Sequence, residues 1–256
     1  TGNDLIIGIL ADNQQALDDA LRILDEQFEN KNQSTVADTS LRAKTIDGAT
    51  KKLPDLNFAI VSLPGRFAKN EAMKCMEKGM HVLLFSDNVT IDEENELKDY
   101  AIANNLLMMG PDCGTAIVNG VGLGFANVVK RGNIGLVAAA GTGLQEVTVI
   151  IDRLGGGISQ ALGTGGRDVK ESVGGKMMLL ALNSLEKDPE TEIIGIISKP
   201  PAKAVMERVL DKVKSIKKPV VACFLGGDAS LFEGTEIVAA KTLEDAATFM
   251  VDISKG

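Results

Sequence analysis

Short runs of apolar residues alternate with longer segments of helical periodicity from one end of the chain to the other. Nine such runs are predicted strands, nearly all continuously apolar, as strands covered on both faces are. They are Leu5–Leu10, Phe58–Ser62, His81–Phe85, Leu106–Met109, Ile134–Ala139, Ile158–Leu162, Ile193–Ile197, Val220–Leu225 and Glu236–Ala239. The alternation predicts an α/β fold of βαβ units around mainly parallel sheets.

Helical patterns lie between these runs. Apolar residues at spacings of three and four after an N-cap at Asp12 predict a helix over Gln14–Glu29. A second helix, Arg66–Lys78, closes on Gly79, and a third runs from Val205 to Ile216 and stops before Pro219. Residues 30–57 are weakly patterned, and a short strand near Ser40–Thr45 is the only element we expect there.

The stretch Gly110–Gly132 contains glycines and asparagines and lacks a long helical pattern. We therefore place a domain boundary in it. A chain of 256 residues is long enough for two modest domains. The prediction is one α/β domain over residues 1–130 and a second over residues 131–256.

Composition and charge exclude several classes of protein. The formal charge is −8 and no run of Lys or Arg is present, so nucleic acid is not an expected partner. No apolar run has the length of a membrane span, and no signal-peptide pattern opens the sequence, so we expect a cytoplasmic protein. The three cysteines are widely spaced and His81 is the single histidine, which predicts neither disulfides nor a zinc site.

Ligands of open α/β sheets bind beyond the carboxyl ends of the strands. Ala140-Gly141-Thr142-Gly143 follows one predicted strand and opens a helix, where free amides and the Thr142 hydroxyl favour a phosphate or carboxylate. The alternative for a lone Gly-Thr-Gly is a tight strand-to-helix turn without a ligand.

The loop Gly163–Asp168 leaves the next strand and includes Gly165, Gly166 and Arg167. The guanidinium of Arg167 suits bidentate binding of a carboxylate or phosphate, unless Asp168 neutralises it as a surface pair. Two glycine-rich turns on neighbouring strands favour an oxyanion site.

Three further residues end strands at the same predicted edge. Lys199, in Ser198-Lys199-Pro200-Pro201, is a candidate catalytic cation together with Arg167; the alternative is a solvated lysine before a proline at position N1 of a helix. Asp112 and Cys113 are candidate ligand contacts, although a small buried cysteine is more common than a nucleophile without a nearby histidine. His81 begins a strand at the other end and is expected to be structural.

Five ordered motifs between Asn57 and Leu225 resemble the FdrA family. They are Phe58-Ala59-Ile60-Val61-Ser62-Leu63-Pro64-Gly65, Gly110-Pro111-Asp112-Cys113-Gly114-Thr115, Gly141-Thr142-Gly143-Leu144-Gln145-Glu146, Gly163-Thr164-Gly165-Gly166-Arg167-Asp168 and Ser198-Lys199-Pro200-Pro201. FdrA proteins are similar to the α subunit of succinyl-CoA ligase and to ADP-forming acyl-CoA synthetases. The resemblance implies a Rossmann-like, CoA-binding-type domain followed by a flavodoxin-like ligase domain. Family members are longer at both ends, so we expect this chain, which begins at Thr1, to be a central portion.

The departures from the ligases are informative. The ligases carry a phosphohistidine in a Gly-His-Ala-Gly segment, whereas this chain has Gly-Gly-Asp-Ala-Ser-Leu at residues 226–231. Lys199 lies where the ligases have a glutamate that supports the imidazole. Gly8–Asn13 lacks their glycine-rich CoA-phosphate loop and any dinucleotide fingerprint, which disfavours CoA and nicotinamide cofactors.

The resemblance therefore implies a carbamoyl phosphate- or acyl phosphate-using transferase subunit, of the oxamate carbamoyltransferase type in purine and allantoin catabolism. Gly141, Thr142 and Gly143 would hold phosphate, and Arg167 and Lys199 would hold carboxylate or the oxygens of the transferred group. The alternatives are an ADP-forming acyl-CoA synthetase, with CoA or ATP as ligands, and a non-catalytic assembly subunit. We expect small phosphate and carboxylate ligands and assembly with itself or with partner subunits.

Overall fold

The computed structural model describes residues 7–30, 42–227, 232 and 234–255. The chain divides into two compact units, Thr1–Asp55 and Leu56–Gly256. The two sheets that the described residues form lie in the second unit, and all the candidate site residues belong to it.

The described residues of the first unit form two helices, α1 (Gln14–Asn30) and α2 (Ile46–Lys52). Helix α1 confirms the prediction, but its cap differs: Asn13 Oδ1 accepts a hydrogen bond from the amide of Ala16 at 2.9 Å, so Asn13 replaces the predicted Asp12. The predicted strand Leu5–Leu10 is wrong for residues 7–10, and its other two residues lie outside the described ones. The weak strand near Ser40–Thr45 is likewise absent from residues 42–45.

The second unit begins with a parallel sheet of three strands in the order β1-β2-β3. These strands are β1 (Phe58–Val61), β2 (His81–Leu84) and β3 (Met108–Met109), and they are connected by α3 (Gly65–Glu77) and α4 (Ile91–Ala103). Helix α4 starts with a capping box, in which Thr90 and Glu93 satisfy each other's backbone amides. The predicted strands and the predicted helix Arg66–Lys78 are confirmed, with small shifts at their ends.

A larger sheet of seven strands follows, in the order β10-β9-β8-β6-β7-β4-β5. Its strands are β4 (Thr115–Val118), β5 (Val121–Gly124), β6 (Arg131–Ala138), β7 (Ile158–Gly163), β8 (Ile193–Ser198), β9 (Val220–Phe224) and β10 (Val238–Ala240). Its helices are α5 (Gly141–Arg153), α6 (Lys176–Lys187), α7 (Lys203–Val213) and α8 (Leu243–Lys255). Counted from β6, the parallel strands have the order 2-1-3-4-5, which is the flavodoxin-like arrangement.

The two faces of this sheet are covered by different helices. Leu144 and Ile151 of α5 pack with Met250 of α8 on one face, whereas α6 and α7 cover the other with residues such as Leu182 and Val209. The chain thus leaves β6 toward one face and its neighbour β8 toward the other. This divergence marks the switch point of the sheet, and ligands of such sheets usually bind in the crevice outside the carboxyl ends of the strands there.

The hairpin β4–β5 is an antiparallel addition that the sequence analysis missed. Asn119 and Gly120 connect its strands with φ values of 50° and 79°, as a two-residue hairpin turn requires. Asn-Gly between two short apolar runs was the available signal. Because β4 pairs with β7, the larger sheet includes residues 115–124, on the N-terminal side of the domain boundary predicted near residue 130. The division at 130 remains a prediction.

Candidate functional site

Backbone hydrogen bonds hold the segments that follow β6, β8 and β9 side by side. The amide of Ala139 donates to the carbonyl of Ile197 at 3.1 Å, and the amide of Leu225 donates to that of Ser198 at 2.8 Å. The crevice is therefore bordered by the start of α5 on one side and by Ser198–Pro201 on the other. These are two of the segments that the sequence predicted to form the site.

The N-terminus of α5 is open. Its N-cap, Ala140, has no side chain that caps an amide, and its first turn contains no acidic residue. The first amides of a helix have no partner within the helix, and the helix dipole adds positive charge there. Gly141 and Thr142 are exposed, and a Cβ atom added to Gly141 would meet nothing within 4 Å. The arrangement suits an anion, as the sequence predicted.

Gly143 has a packing role as well. It is buried, and an added Cβ atom would lie 3.3 Å from Cγ2 of Ile197. Gly143 therefore lets the first turn of α5 approach the end of β8, which agrees with the alternative of a tight strand-to-helix turn. Gly141, by contrast, leaves space for a ligand.

Lys199 is the first residue after β8 and is exposed. It forms no ion pair with any residue that the structure describes. Helix α7 begins at Lys203 with Ala202 as its N-cap, so Pro200 and Pro201 precede the helix and neither occupies N1. The alternative of a proline at N1 is therefore wrong. Two prolines hold the chain extended at the border of the crevice.

The second glycine-rich loop does not leave its helix open. Both oxygens of the Asp168 carboxylate accept amide hydrogens at the start of α6, from Met177 at 3.0 Å and from Met178 at 2.8 Å. Asp168 thus occupies the position that an anion would take. Gly165 has a φ of +83°, and a Cβ atom there would lie 2.5 Å from the carbonyl oxygen of Pro111. Its role is conformational, whereas Gly166 is exposed.

Arg167 does not pair with Asp168. Its Nε lies 2.9 Å from Oε2 of Glu94 and its Nη2 donates to the carbonyl oxygen of Val89 at 2.8 Å. The Arg167 side chain remains 32% exposed, and its other N–H groups are available to a ligand. Its contact with a ligand therefore stays a prediction, and the alternative of an Arg167–Asp168 surface pair is wrong.

Glu94 and Asp168 meet a third charged residue that the sequence analysis passed over. Nζ of Lys98 donates to Oε1 of Glu94 at 2.7 Å, to Oδ1 of Asp168 at 2.8 Å and to the carbonyl oxygen of Thr164 at 3.2 Å. All three side chains are fully buried. The cluster links α4 to the glycine-rich loop and fixes the loop's conformation.

Asp112 and Cys113 lie in different surroundings. Asp112 is exposed and lines a cavity of about 410 Å³ at the carboxyl ends of β1 and β2, together with Ser62, Ser86 and Asp87. Cys113 is buried, and its thiol donates to the carbonyl oxygen of Thr115. Burial raises the pKa of Cys113 to about 11, which makes it a poor nucleophile at neutral pH. Their contact with a ligand stays a prediction.

His81 has a structural contact, as expected. It begins β2, and its Nδ1 accepts a hydrogen bond from the amide of Leu107 at 2.9 Å. Burial lowers the pKa of His81, so the imidazole is neutral at pH 7. A hydroxyl that the sequence analysis also passed over, Oγ of Ser198, is buried without a hydrogen-bond partner among the described residues.

Two kinds of feature are absent from the described part of the chain. No group of three or more His, Cys, Asp or Glu side chains there is placed to hold a metal ion. Within the same residues, no helix combines the length and the apolarity that crossing a membrane requires.

Comparisons with known proteins add family relationships to this geometry. Residues 129–226, which include β6 to β9, match the model of the CoA binding domain. The protein "Uncharacterized protein YahF" of Escherichia coli K12 is 47% identical over 244 residues, which are 95% of this chain and 46% of YahF. The α subunit of ADP-forming succinate–CoA ligase from Aquifex aeolicus is 27% identical over 77% of this chain and 69% of its own length.

Solved structures agree in fold. The ATP citrate lyase of Methanothrix soehngenii in complex with citrate and coenzyme A has a TM-score of 0.70 at 18% identity, over 83% of this chain and 40% of the lyase. An acetyl-coenzyme A synthetase of Ca. Korarchaeum cryptofilum with phosphate and ADP has a TM-score of 0.65 at 19% identity, over 83% of this chain and 53% of the synthetase. At these identities the likeness concerns the fold alone.

The chain thus spans about half the length of several proteins that it matches. Membership in the narrower FdrA family stays a prediction. The chain has a CoA-binding-domain match over residues 129–226, is similar in sequence to the α subunits of ADP-forming succinate–CoA ligases, and shares its fold with an acetyl-coenzyme A synthetase.

Proposed function

We propose that this chain is a subunit, or part of one, that binds an acyl phosphate or carbamoyl phosphate in the crevice between β6 and β8. The observation that carries the proposal is the open N-terminus of α5, with the exposed cation Lys199 at the end of the neighbouring strand. The amides of Gly141, Thr142 and Gly143 would hold the phosphate, and Lys199 would neutralise charge on the transferred group.

Transfer would proceed directly to an acceptor. The acceptor's nucleophilic atom attacks the carbonyl carbon, the bond between that carbon and the bridging oxygen breaks, and inorganic phosphate leaves with the electron pair and takes up the acceptor's proton. Positioning and charge neutralisation are the main contributions that such a step needs from the protein. A phosphohistidine on this chain is not part of the proposal, because the single histidine begins β2 and bonds a backbone amide.

Two acceptors are proposed, each on its own observation. Coenzyme A is supported by the CoA-binding-domain match and by similarity to the ligase subunits, which would make the chain part of an acyl-CoA synthetase, with ADP or ATP as a further ligand. Oxamate, with carbamoyl phosphate as donor, is supported by the FdrA-like motifs and by Lys199, a cation suited to the carboxylate of the acceptor. Both versions include assembly with further subunits.

A melting-temperature comparison tests the proposal. Carbamoyl phosphate, acetyl phosphate, inorganic phosphate, CoA, ADP and oxamate are added separately at concentrations near 100 Kd. A ligand that binds only the native state then stabilises it by about 2.7 kcal/mol, which raises Tm by roughly 5–10 °C. A rise with CoA favours the synthetase, and a rise with carbamoyl phosphate or oxamate but not CoA favours carbamoyl transfer. No rise with any phosphate compound contradicts the proposal and favours a non-catalytic assembly subunit.

A further inference from the structure

A second cavity lies away from the crevice, between the smaller sheet and helix α6. Its volume is about 250 Å³, and its walls combine leucines with a few polar side chains. His81 comes from the start of β2, Gln160 from β7, Ser184 from the last turn of α6, and Asp188 directly follows that helix. The cavity thus lies where the two sheets of the second unit meet, and pockets are frequent at such junctions.

The hydrogen bonds around the cavity leave one strong donor without a partner. Because Nδ1 of His81 accepts the amide hydrogen of Leu107, the neutral ring holds its proton on Nε2. Nε2 has no hydrogen-bond partner among the residues that the structure describes. The half-buried ring lines the cavity, so this N–H is available to a group placed inside it.

An acceptor is also available. Oγ of Ser184 donates its hydrogen to the carbonyl oxygen of Leu180 at 2.9 Å, which leaves its lone pairs free. Gln160, by contrast, has no N–H to spare: its NH₂ group donates to Oδ1 of Asn119 at 2.8 Å and to Oδ2 of Asp188 at 3.2 Å, and its Oε1 accepts the amide hydrogen of Asn119 at 2.8 Å. The polar part of the lining thus includes an unpartnered ring N–H and a hydroxyl acceptor, besides the side-chain amide of Asn105, and Leu106, Leu162 and Leu185 supply apolar surface.

Charge decides what kind of head group fits. Burial acts to raise the pKa of Asp188, but hydrogen bonds from Thr191, Glu190 and Gln160 outweigh it and the pKa is lowered, so the carboxylate is ionised. An anionic ligand would be repelled by this carboxylate. A cationic ligand would have to compete with the hydrogen bonds that Thr191, Gln160 and the amide of Glu190 already donate to the carboxylate of Asp188. A neutral head group is favoured.

We infer that this cavity binds a small neutral molecule with one apolar ring and a carboxamide-like head. The carbonyl oxygen of the head accepts from Nε2 of His81, its NH₂ donates to Oγ of Ser184, and the ring packs on the leucines. The volume lies just below the usual range of about 300–1,000 Å³ for drug-sized ligands, which restricts the ligand to a single ring.

The probe is benzamide, and the reporter is the imidazole of His81, the single histidine of the chain. NMR signals of this ring are recorded on the full chain while benzamide or its anionic counterpart benzoate is added. The expected result is a saturable shift with benzamide at millimolar concentration and binding at least about tenfold weaker for benzoate. No shift with benzamide, or equal binding of benzoate, overturns the inference.

Two variants localise the binding. Ser184→Leu fills the cavity and removes the acceptor, and it should weaken benzamide binding by about tenfold or more. Ser254→Leu is the matched control, because Ser254 is also a half-buried helical serine whose hydroxyl donates to a backbone carbonyl, that of Val251. Unchanged affinity in Ser184→Leu, with its fold verified by circular dichroism, overturns the inference, as does equal weakening in both variants.

Discussion

Lys98 and Asp168 form an ion pair of 2.8 Å although they lie seventy residues apart and neither side chain is exposed to water. Asp168 also caps α6, and Lys98 is shared with Glu94 of its own helix. The pair therefore connects the helix α4 beside the smaller sheet to the glycine-rich loop of the larger one. Buried charges are tolerated only when they are paired in this way.

Lys98→Met should destabilise the protein strongly. Removing one partner of a buried ion pair leaves uncompensated buried charge and costs about 3–5 kcal/mol. Lys176→Met is the control, because the ion pair of Lys176 with Asp99 is partly exposed to solvent and such pairs contribute at most about 1 kcal/mol. Urea unfolding at pH 7 measures both. Similar losses of unfolding free energy in the two variants would show that the buried ion pairs of Lys98 contribute no more to stability than the partly exposed pair of Lys176.

The two glycine-rich loops should respond differently to alanine. Gly165→Ala requires a side chain at φ +83° and a contact of 2.5 Å with a backbone oxygen, so it should cost at least about 1–2 kcal/mol. Gly141→Ala adds a methyl group to open space and should change the free energy of unfolding by less than about 0.5 kcal/mol. Urea midpoints test the contrast, and a large loss for Gly141→Ala would show that its position is needed for folding rather than for a ligand.

The cysteines should be unreactive in the native state. With the pKa of Cys113 at about 11, only about 0.1% of this thiol is ionised at pH 8. Burial also raises the pKa values of Cys75 and Cys223. Labelling with a thiol reagent should be slow in buffer and fast for all three cysteines in urea. Rapid labelling of Cys113 without denaturant would contradict this expectation and would make Cys113 a candidate nucleophile.

Acid should weaken the fold through His81. Because burial lowers the pKa of His81 in the native state, the unfolded chain takes up a proton first as the pH falls below about 6.5. The contribution of His81 to stability is thus present above pH 6.5 and is lost below it. Between pH 7.5 and 5.5 the wild-type chain should lose more unfolding free energy than His81→Gln. Equal losses of unfolding free energy in the two proteins, or an NMR titration midpoint of His81 above pH 6.5, would contradict this prediction.

The α/β fold follows from the alternation of apolar runs and helical patterns, because strands buried on both faces leave an unambiguous pattern. The open start of α5 was also predictable, since Gly141-Thr142-Gly143 follows such a run directly. The buried cluster of Lys98, Glu94 and Asp168 was not predictable from the sequence. Glu94 and Lys98 are spaced like an exposed helical ion pair, and only the approach of a distant loop buries them. The hairpin at Asn119-Gly120 had a signal that was overlooked.

The central claim is that the start of α5 and Lys199 together bind a phosphate compound. The most direct test is to measure the affinity for carbamoyl phosphate and for CoA by calorimetric titration. Each ligand is titrated into three proteins: the wild-type chain, Lys199→Met and Lys187→Met. Lys187 is an exposed lysine in the last turn of α6, so its variant removes the same charge elsewhere on the domain. We predict that Lys199→Met weakens binding of at least one of these ligands by about tenfold or more, while Lys187→Met leaves it unchanged. Absence of binding to the wild-type chain, or equal affinity in all three proteins, would contradict the claim.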